Sequence, residues 1–221
     1  MPEVDLAVFD WNGCMLADTQ PCYEADCHAI LEFGGTPPDM NEYRKTVIIP
    51  ANDFYVLYGC NREELEANKE RLGKVFHDFY EPRAGKCRTR KGLRETLEHL
   101  RNNKIDSIIL SNHTIPGINT QLERLNLQGY ISEVLANDLL YGSMEGRSKL
   151  GRLKQFYERN KGIYSPDRSV IIGDSPEEIE IGKELGMLTV AIEGGYYDEK
   201  RLVAAEPHHQ IRRISCLINL V

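Results

Sequence analysis

Short apolar runs alternate with helix-period segments along most of the chain, a pattern that predicts an α/β fold on a parallel sheet. Val4 to Phe9 reads as the first strand, closed by the turn signal Trp11-Asn12-Gly13. Lys91 to Arg101 carries Leu93, Leu97 and Leu100 at helical spacing; Ser107 to Leu110 reads as a strand and Ile115 to Leu125 as a helix. A strand near Val134 and a helix over Lys149 to Glu158 follow. Ser169 to Ile172 is a buried-strand-sized run, and Pro176 to Leu185 is a helix stopped by Gly186. Leu188 to Ile192 is the next strand, and the tail around Ile211 and Ile214 to Val221 predicts a short strand and a terminal helix.

From about Cys14 to Cys87 the rhythm changes, and no strand repeat stands out. Tyr23 to Phe33 is helix-like, with Cys27, Ile30 and Leu31 along one side. So is Arg62 to Tyr80, through Leu65, Leu72, Val75, Phe76 and Phe79, and Gly34-Gly35-Thr36-Pro37-Pro38 separates the two. The predicted organisation is therefore a Rossmann-like α/β core, residues 1–14 and 88–221, carrying an inserted α-helical cap domain, residues 15–87.

Length and composition narrow the function classes. A chain of 221 residues holds one good core, or a core with a smaller insert. A formal charge of −7 opposes binding to nucleic acid or to an anionic membrane, although a local basic cleft could still take a small anion. No apolar run reaches the length of a membrane span, and the amino terminus has no basic start. Six cysteines are scattered without a C-x-x-C pair, as expected of reduced thiols in a cytoplasmic protein. Oligomeric state leaves no signature.

In an open parallel sheet, residues just past the carboxyl ends of the strands line a shared crevice. Asp10, Ser111 and Asp174 stand at such ends, and Lys149 opens a neighbouring helix. A carboxylate at Asp10 attacks phosphorus if a cation offsets its charge. The Ser111 hydroxyl, with the backbone N–H groups of a helix start at Ser111-Asn112, suits a phosphoryl oxygen. The Lys149 ammonium neutralises nucleophile and transferring group together, with Arg147 a rival for that role. Asp174 is an oxygen ligand of the kind Mg²⁺ favours. Each residue alone also has a plain structural explanation: a turn aspartate, a helix N-cap at Ser111, a solvated lysine, and a Ser175-Pro176 helix start. Their convergence is what points to chemistry.

Taken in order, Asp10-Trp-Asn-Gly-Cys14, Ser111-Asn112, Lys149 and Gly173-Asp-Ser-Pro-Glu-Glu178 resemble the four motifs of the haloacid-dehalogenase superfamily. The stretch from Lys149 through Tyr164-Ser-Pro-Asp to Gly186 resembles its phosphoglycolate-phosphatase-like subgroup, and the insert matches that subgroup's helical cap. The resemblance implies Mg²⁺ held by Asp10, the backbone carbonyl of Asn12 and Asp174, with Glu178, the last acidic residue of the box, also placed at the metal. It also implies phosphoryl transfer from a small phosphorylated metabolite through an aspartyl-phosphate on Asp10, with Lys149 and Ser111 binding phosphate.

Three positions depart from the family pattern: Asn12 replaces an aspartate, Cys14 a threonine and Glu178 an aspartate. The aspartate expected at position 12 would protonate the leaving oxygen, which a carboxamide does not do at neutral pH. Losing a general acid–base costs on the order of 10²–10⁴-fold. His28 and His113 are candidate substitutes. Trp11-Asn12 also resembles phosphonoacetaldehyde hydrolases, which use a cap lysine; Lys45, Lys69 and Lys74 are the candidates here. A metal-free dehalogenase and a degenerate ligand-binding relative are the other readings. Arg44 and Lys45 could meet a second anionic group of the substrate, while Tyr43, Tyr55 and Tyr58 line the cleft or pack the cap.

Overall fold

The computed structural model describes residues 4–138 and 149–221. Six parallel strands form one sheet, in the order β3-β2-β1-β4-β5-β6. The strands are β1 (Leu6–Phe9), β2 (Asp106–Thr114), β3 (Glu133–Asn137), β4 (Ser169–Gly173), β5 (Leu188–Ile192) and β6 (His209–Ile211). Six helices stand between β1 and β2, and the first five form the insert: α1 (Thr19–Glu32), α2 (Met40–Thr46), α3 (Ala51–Leu57), α4 (Arg62–Ala67) and α5 (Lys69–Ala84). The others flank the sheet: α6 (Leu93–Asn102), α7 (Ile115–Arg124), α8 (Lys149–Arg159), α9 (Pro176–Leu185) and α10 (Glu199–Ala204). Among the described residues no helix is long and apolar enough to cross a membrane.

Both faces of the sheet are buried, which is why its strands read as continuous apolar runs. Ala7, Phe9, Ile109, Val170 and Ile172 face one way and pack with Leu93, Leu97, Leu100, Ile214 and Leu217. Leu6, Val8, Ile108 and Ile171 face the other way and meet Leu153, Phe156 and Ile181. A third apolar cluster joins Ala29, Ile30, Phe54, Leu65 and Leu72 of the inserted helices to Ile179 and Leu202.

The register of the three central strands brings their ends together. Phe9 pairs with Ile109 on one side and with Ile172 on the other. Asp10 therefore leaves the sheet one step beyond Phe9, with Ser111 and Asp174 two steps beyond the partners of Phe9. The insert begins and ends as a pair of adjacent stems: Ala17 N donates to Arg88 O at 2.9 Å, and Arg90 N to Met15 O at 2.9 Å.

Several local expectations change. β2 runs on through Ser111 and Asn112 to Thr114, with an irregularity in its pairing to β3 after Leu110. Ser111 is therefore no helix N-cap; Thr114 caps α7, its hydroxyl accepting from Gly117 N at 3.2 Å. The single helix expected over Arg62 to Tyr80 is two helices broken at Asn68, whose amide donates to Glu64 O at 2.8 Å. Side chains of that type compete with the helical ladder and favour ends. The seven-residue α2 and α3 are too short to show a helical period in sequence. The terminal helix is a 3₁₀ segment, Ile214–Asn219. Arg147 lies outside the described residues.

Candidate active site

One cleft between the sheet and the inserted helices is lined by Asp10, Asn12, Ser111, Asn112, Lys149 and Asp174. The anchor is a buried ion pair: Lys149 Nζ lies 2.8 Å from Asp10 Oδ1. Lys149 also donates to Glu178 Oε1 and stands 3.7 Å from Glu177 Oε2. Burial pushes its ammonium down, but the facing Asp10, Glu178 and Glu177 outweigh that and hold it well above its ordinary value.

Asp10 is placed by the sheet, its backbone N–H donating to Ile172 O at 2.8 Å. Burial raises its pKa well above the usual carboxylate range; Lys149 opposes this, and Glu178 and Asp174 add to it. Asp174 is pushed up to about 7, chiefly by burial, while the Tyr196 N–H that it accepts at 2.6 Å pulls the other way. Gly13 and Gly195 crowd Asp174 so closely that a Cβ at either would collide with its carboxylate. At Gly13, φ is +70°, so no side chain suits the backbone there either.

Glu178 turns to Lys149 and Ser175. Its Oε2 accepts from Ser175 Oγ at 2.6 Å and from Ser175 N at 3.3 Å, the second bond closing a capping box at the start of α9. Glu178 sits beside the cleft residues without lining the cleft itself. Asp10, Asp174 and Glu178 are buried together beside one fixed ammonium, and Glu178 raises both Asp10 and Asp174, so the cluster holds an excess of acidic oxygen donors. A hard divalent cation such as Mg²⁺ fits that donor set.

Asn12 is held by contacts that its sequence neighbours do not reveal. Its amide donates to Asp18 Oδ2 and to Tyr80 Oη, both at 2.7 Å. The same buried Asp18 accepts from Gly13 N at 2.7 Å, Tyr80 Oη at 2.5 Å and Tyr196 Oη at 2.9 Å. The Asn12 amide NH₂ is thus committed to the helical side. The Cys14 thiol donates to Ile172 O at 3.6 Å. Arg90 clamps the loop from below, donating to Gly13 O at 2.7 Å and Glu193 O at 2.6 Å.

Ser111 is buried, its Oγ accepting from His113 N at 3.1 Å. The Asn112 amide donates to Glu177 Oε2 at 3.0 Å. Arg152, one turn after Lys149, donates to Ser111 O at 2.8 Å and braces this strand end from behind.

Other sequence candidates fall apart. His28 stacks on Phe79 and does not line the cleft, whereas His113 does. Lys45 pairs with Glu42 and Lys74 with Asp78 on exposed surface. Among the described lining residues Lys149 is the one lysine, so no cap lysine is placed for a Schiff base. Arg44 lines a separate groove beside Arg90. Tyr43 and Tyr55 line the cleft and donate to buried Asp26 at 2.8 and 2.7 Å, and burial lifts that carboxyl to about 6. Tyr58 instead shares a hydrogen bond with Thr46.

Sequence reading missed Asp18, Tyr80, Arg90 and Tyr196. Tyr196 had a signal, since Gly194-Gly195-Tyr196 follows the carboxyl end of β5 as the other site residues follow theirs. Asp18 and Tyr80 had none; they meet only because α1 and α5 pack side by side.

Comparison with known proteins gives a consistent result. The family described as haloacid dehalogenase-like hydrolase matches residues 7–192. A phosphoglycolate phosphatase of Synechococcus elongatus is 28% identical over 215 residues, 97% of this chain and 95% of that protein. A haloacid dehalogenase-like hydrolase structure from Streptococcus pneumoniae superposes with a TM-score of 0.81 at 15% identity, covering 99% of each chain. A predicted phosphoglycolate phosphatase from Haemophilus somnus gives 0.79 at 16% identity, covering 100% of this chain and 99% of that one. At these identities the two structures speak for the fold.

Proposed function

This chain belongs to the haloacid dehalogenase-like hydrolase family, and from that premise we propose that it is a Mg²⁺-dependent phosphatase acting on a small phosphorylated metabolite through an aspartyl-phosphate on Asp10. The observation that carries the reading is the buried 2.8 Å contact of Lys149 Nζ with Asp10 Oδ1, in the cleft that Ser111 and Asp174 also line. In this reading residues 15–87 are the cap domain over a core of residues 1–14 and 88–221. The paired stems at residues 15–17 and 88–90 support that division.

Asp10 attacks phosphorus, forming an O–P bond as the ester O–P bond breaks and its electron pair leaves on the alcohol oxygen. Water then cleaves the aspartyl-phosphate, freeing inorganic phosphate and restoring Asp10. Lys149 offsets charge on both the nucleophile and the phosphoryl group, and the Ser111 hydroxyl donates to a phosphoryl oxygen. Asp10, the Asn12 carbonyl and Asp174 are the residues that would hold Mg²⁺, with Glu178 bearing on that site through Lys149. When bound, the ion supplies positive charge against the charge developing on phosphoryl oxygens. Two proton transfers, to the leaving oxygen and from water, have no carboxyl group at position 12 to carry them.

A phosphate-ester panel with and without Mg²⁺ tests the proposal. Turnover of activated aryl phosphates, lost in EDTA and regained with Mg²⁺, is expected. A chain that binds vanadate with Mg²⁺ yet turns over no ester would instead be a ligand-binding relative, and EDTA-insensitive release of halide a dehalogenase.

Asn12→Asp is expected to speed hydrolysis of unactivated alkyl phosphates by roughly 10²-fold or more. The new carboxyl group would face Asp18 across a 2.7 Å contact, where two carboxylates share one proton. Such a shared proton is available for a leaving oxygen, but the crowding lowers stability. The double variant Asn12→Asp/Asp18→Asn should recover the unfolding midpoint. Unchanged or slower alkyl phosphate turnover in a folded, Mg²⁺-loaded Asn12→Asp chain would sink this expectation.

A further inference from the structure

Where the inserted helices meet the sheet, α5 and β2 bring together two imidazoles and a carboxylate that the phosphatase chemistry does not use. His77 Nδ1 lies 3.0 Å from Glu81 Oε1, and His113 Nε2 lies 3.5 Å from the same oxygen. Candidate ligand atoms of all three residues fall within 4.8 Å of one another. We propose that His77, Glu81 and His113 form a second metal site, for a divalent transition ion of the zinc class, that ties α5 to β2.

The donor set selects the class of ion. Two imidazole nitrogens and one carboxylate oxygen suit Zn²⁺, Co²⁺ or Ni²⁺, whereas Mg²⁺ and Ca²⁺ favour oxygen donors. The spacing agrees. Bonds of about 2.0–2.1 Å in a tetrahedral site set neighbouring donors roughly 3.3 Å apart, and the two measured separations, 3.0 and 3.5 Å, straddle that value. The two imidazole rings lie 5.4 Å apart, stacked with 13° between their planes.

Local structure prepares the ligands. His77 and Glu81 are four residues apart on α5, so their side chains share one face. His113 is buried on β2, and burial drops its pKa to about 4, against the opposing pull of Glu81. Its imidazole is therefore neutral at pH 7, the form that binds a metal. Gly117 leaves space beside the ring, since a Cβ there would lie 2.6 Å from Nε2. His77 and His113 both line the cleft, so a fourth coordination position opens on it. Two ligands on an inserted helix and one on the sheet make such an ion a clamp between α5 and β2.

The test uses the whole chain, stripped of metal by chelator, saturated with Mg²⁺ and titrated with Co²⁺. The expected result is one Co²⁺ per chain with the intense visible bands of four-coordinate cobalt, bleached by Zn²⁺, and a raised thermal midpoint. An all-oxygen octahedral site around Asp10 and Asp174 gives only weak bands, so the two sites are told apart without any activity assay. Glu81→Gln keeps the shape of the side chain, and His113→Asn removes the core ligand; each should weaken Co²⁺ binding at least tenfold and abolish the bands. Wild-type chain without intense bands, or both variants binding Co²⁺ as wild type does, would overturn the proposal and leave the three residues as a hydrogen-bonded contact.

Discussion

Asp10→Asn is expected to lower phosphatase turnover by roughly 10⁴-fold or more, with the thermal unfolding midpoint unchanged or raised. The two effects have one origin. In the proposed mechanism Asp10 forms the bond to phosphorus, and a carboxamide is a poor nucleophile. As a structural element, however, the carboxylate is costly. Its pKa is raised by burial and, after the opposing pull of Lys149, by Glu178 and Asp174. An isosteric neutral amide removes one of several crowded negative charges. Lys149 keeps its contacts to Glu178 and Glu177, so the ammonium is not stranded. Turnover of an aryl phosphate and a thermal melt, measured on the same Mg²⁺-free and Mg²⁺-loaded samples, check both halves. Residual activity within tenfold of wild type would remove Asp10 from the nucleophile's role.

Lys149→Met carries the largest expected loss of stability, about 3–5 kcal/mol. Among the described residues Lys149 is the one ammonium facing Asp10, Glu178 and Glu177; it is buried with Asp10 and Glu178, while Glu177 is half-buried. A methionine of similar length fills the volume yet leaves the buried Asp10 and Glu178 without their counter-charge. Removing one member of a buried ion cluster strands the rest, which costs more than the net worth of the pairing. Urea unfolding without Mg²⁺ measures the loss. The double variant Asp10→Asn/Lys149→Met should recover part of it, since the residues interact directly and their effects should not add. Strict additivity, or a loss below about 1 kcal/mol, would mean that the cluster is far better hydrated than its burial indicates. Phosphatase turnover should fall as well, because no other lysine or arginine among the described residues lines the cleft.

Much of the candidate site was legible because parallel sheets follow a positional rule. Asp10, Ser111 and Asp174 each follow an apolar run by one or two residues, and strand ends in such sheets converge. Position alone misled at Ser111, where a hydroxyl after four apolar-rich residues reads as a helix cap. β2 is carried four residues further, to Thr114, which takes the capping role. Side-chain partners were less legible than positions. Glu178 reads as a metal ligand in a motif, yet its carboxylate spans a capping box and the Lys149 ammonium.

The sequence by itself determined the α/β class, the strand ends that converge on the candidate site, the helical insert and the absence of a carboxyl group at position 12. Those features are local or periodic: apolar runs, turn residues, and spacings within a few residues of each other. Tertiary structure alone decided what surrounds them. Asp18 reaches Asn12, Tyr80 and Tyr196 across separations of 6, 62 and 178 residues. His113 on the sheet meets His77 and Glu81 on α5 in the same way. Such contacts follow from how helices pack on a sheet edge, where burial and hydrogen-bond satisfaction choose partners irrespective of chain distance. No spacing rule encodes them.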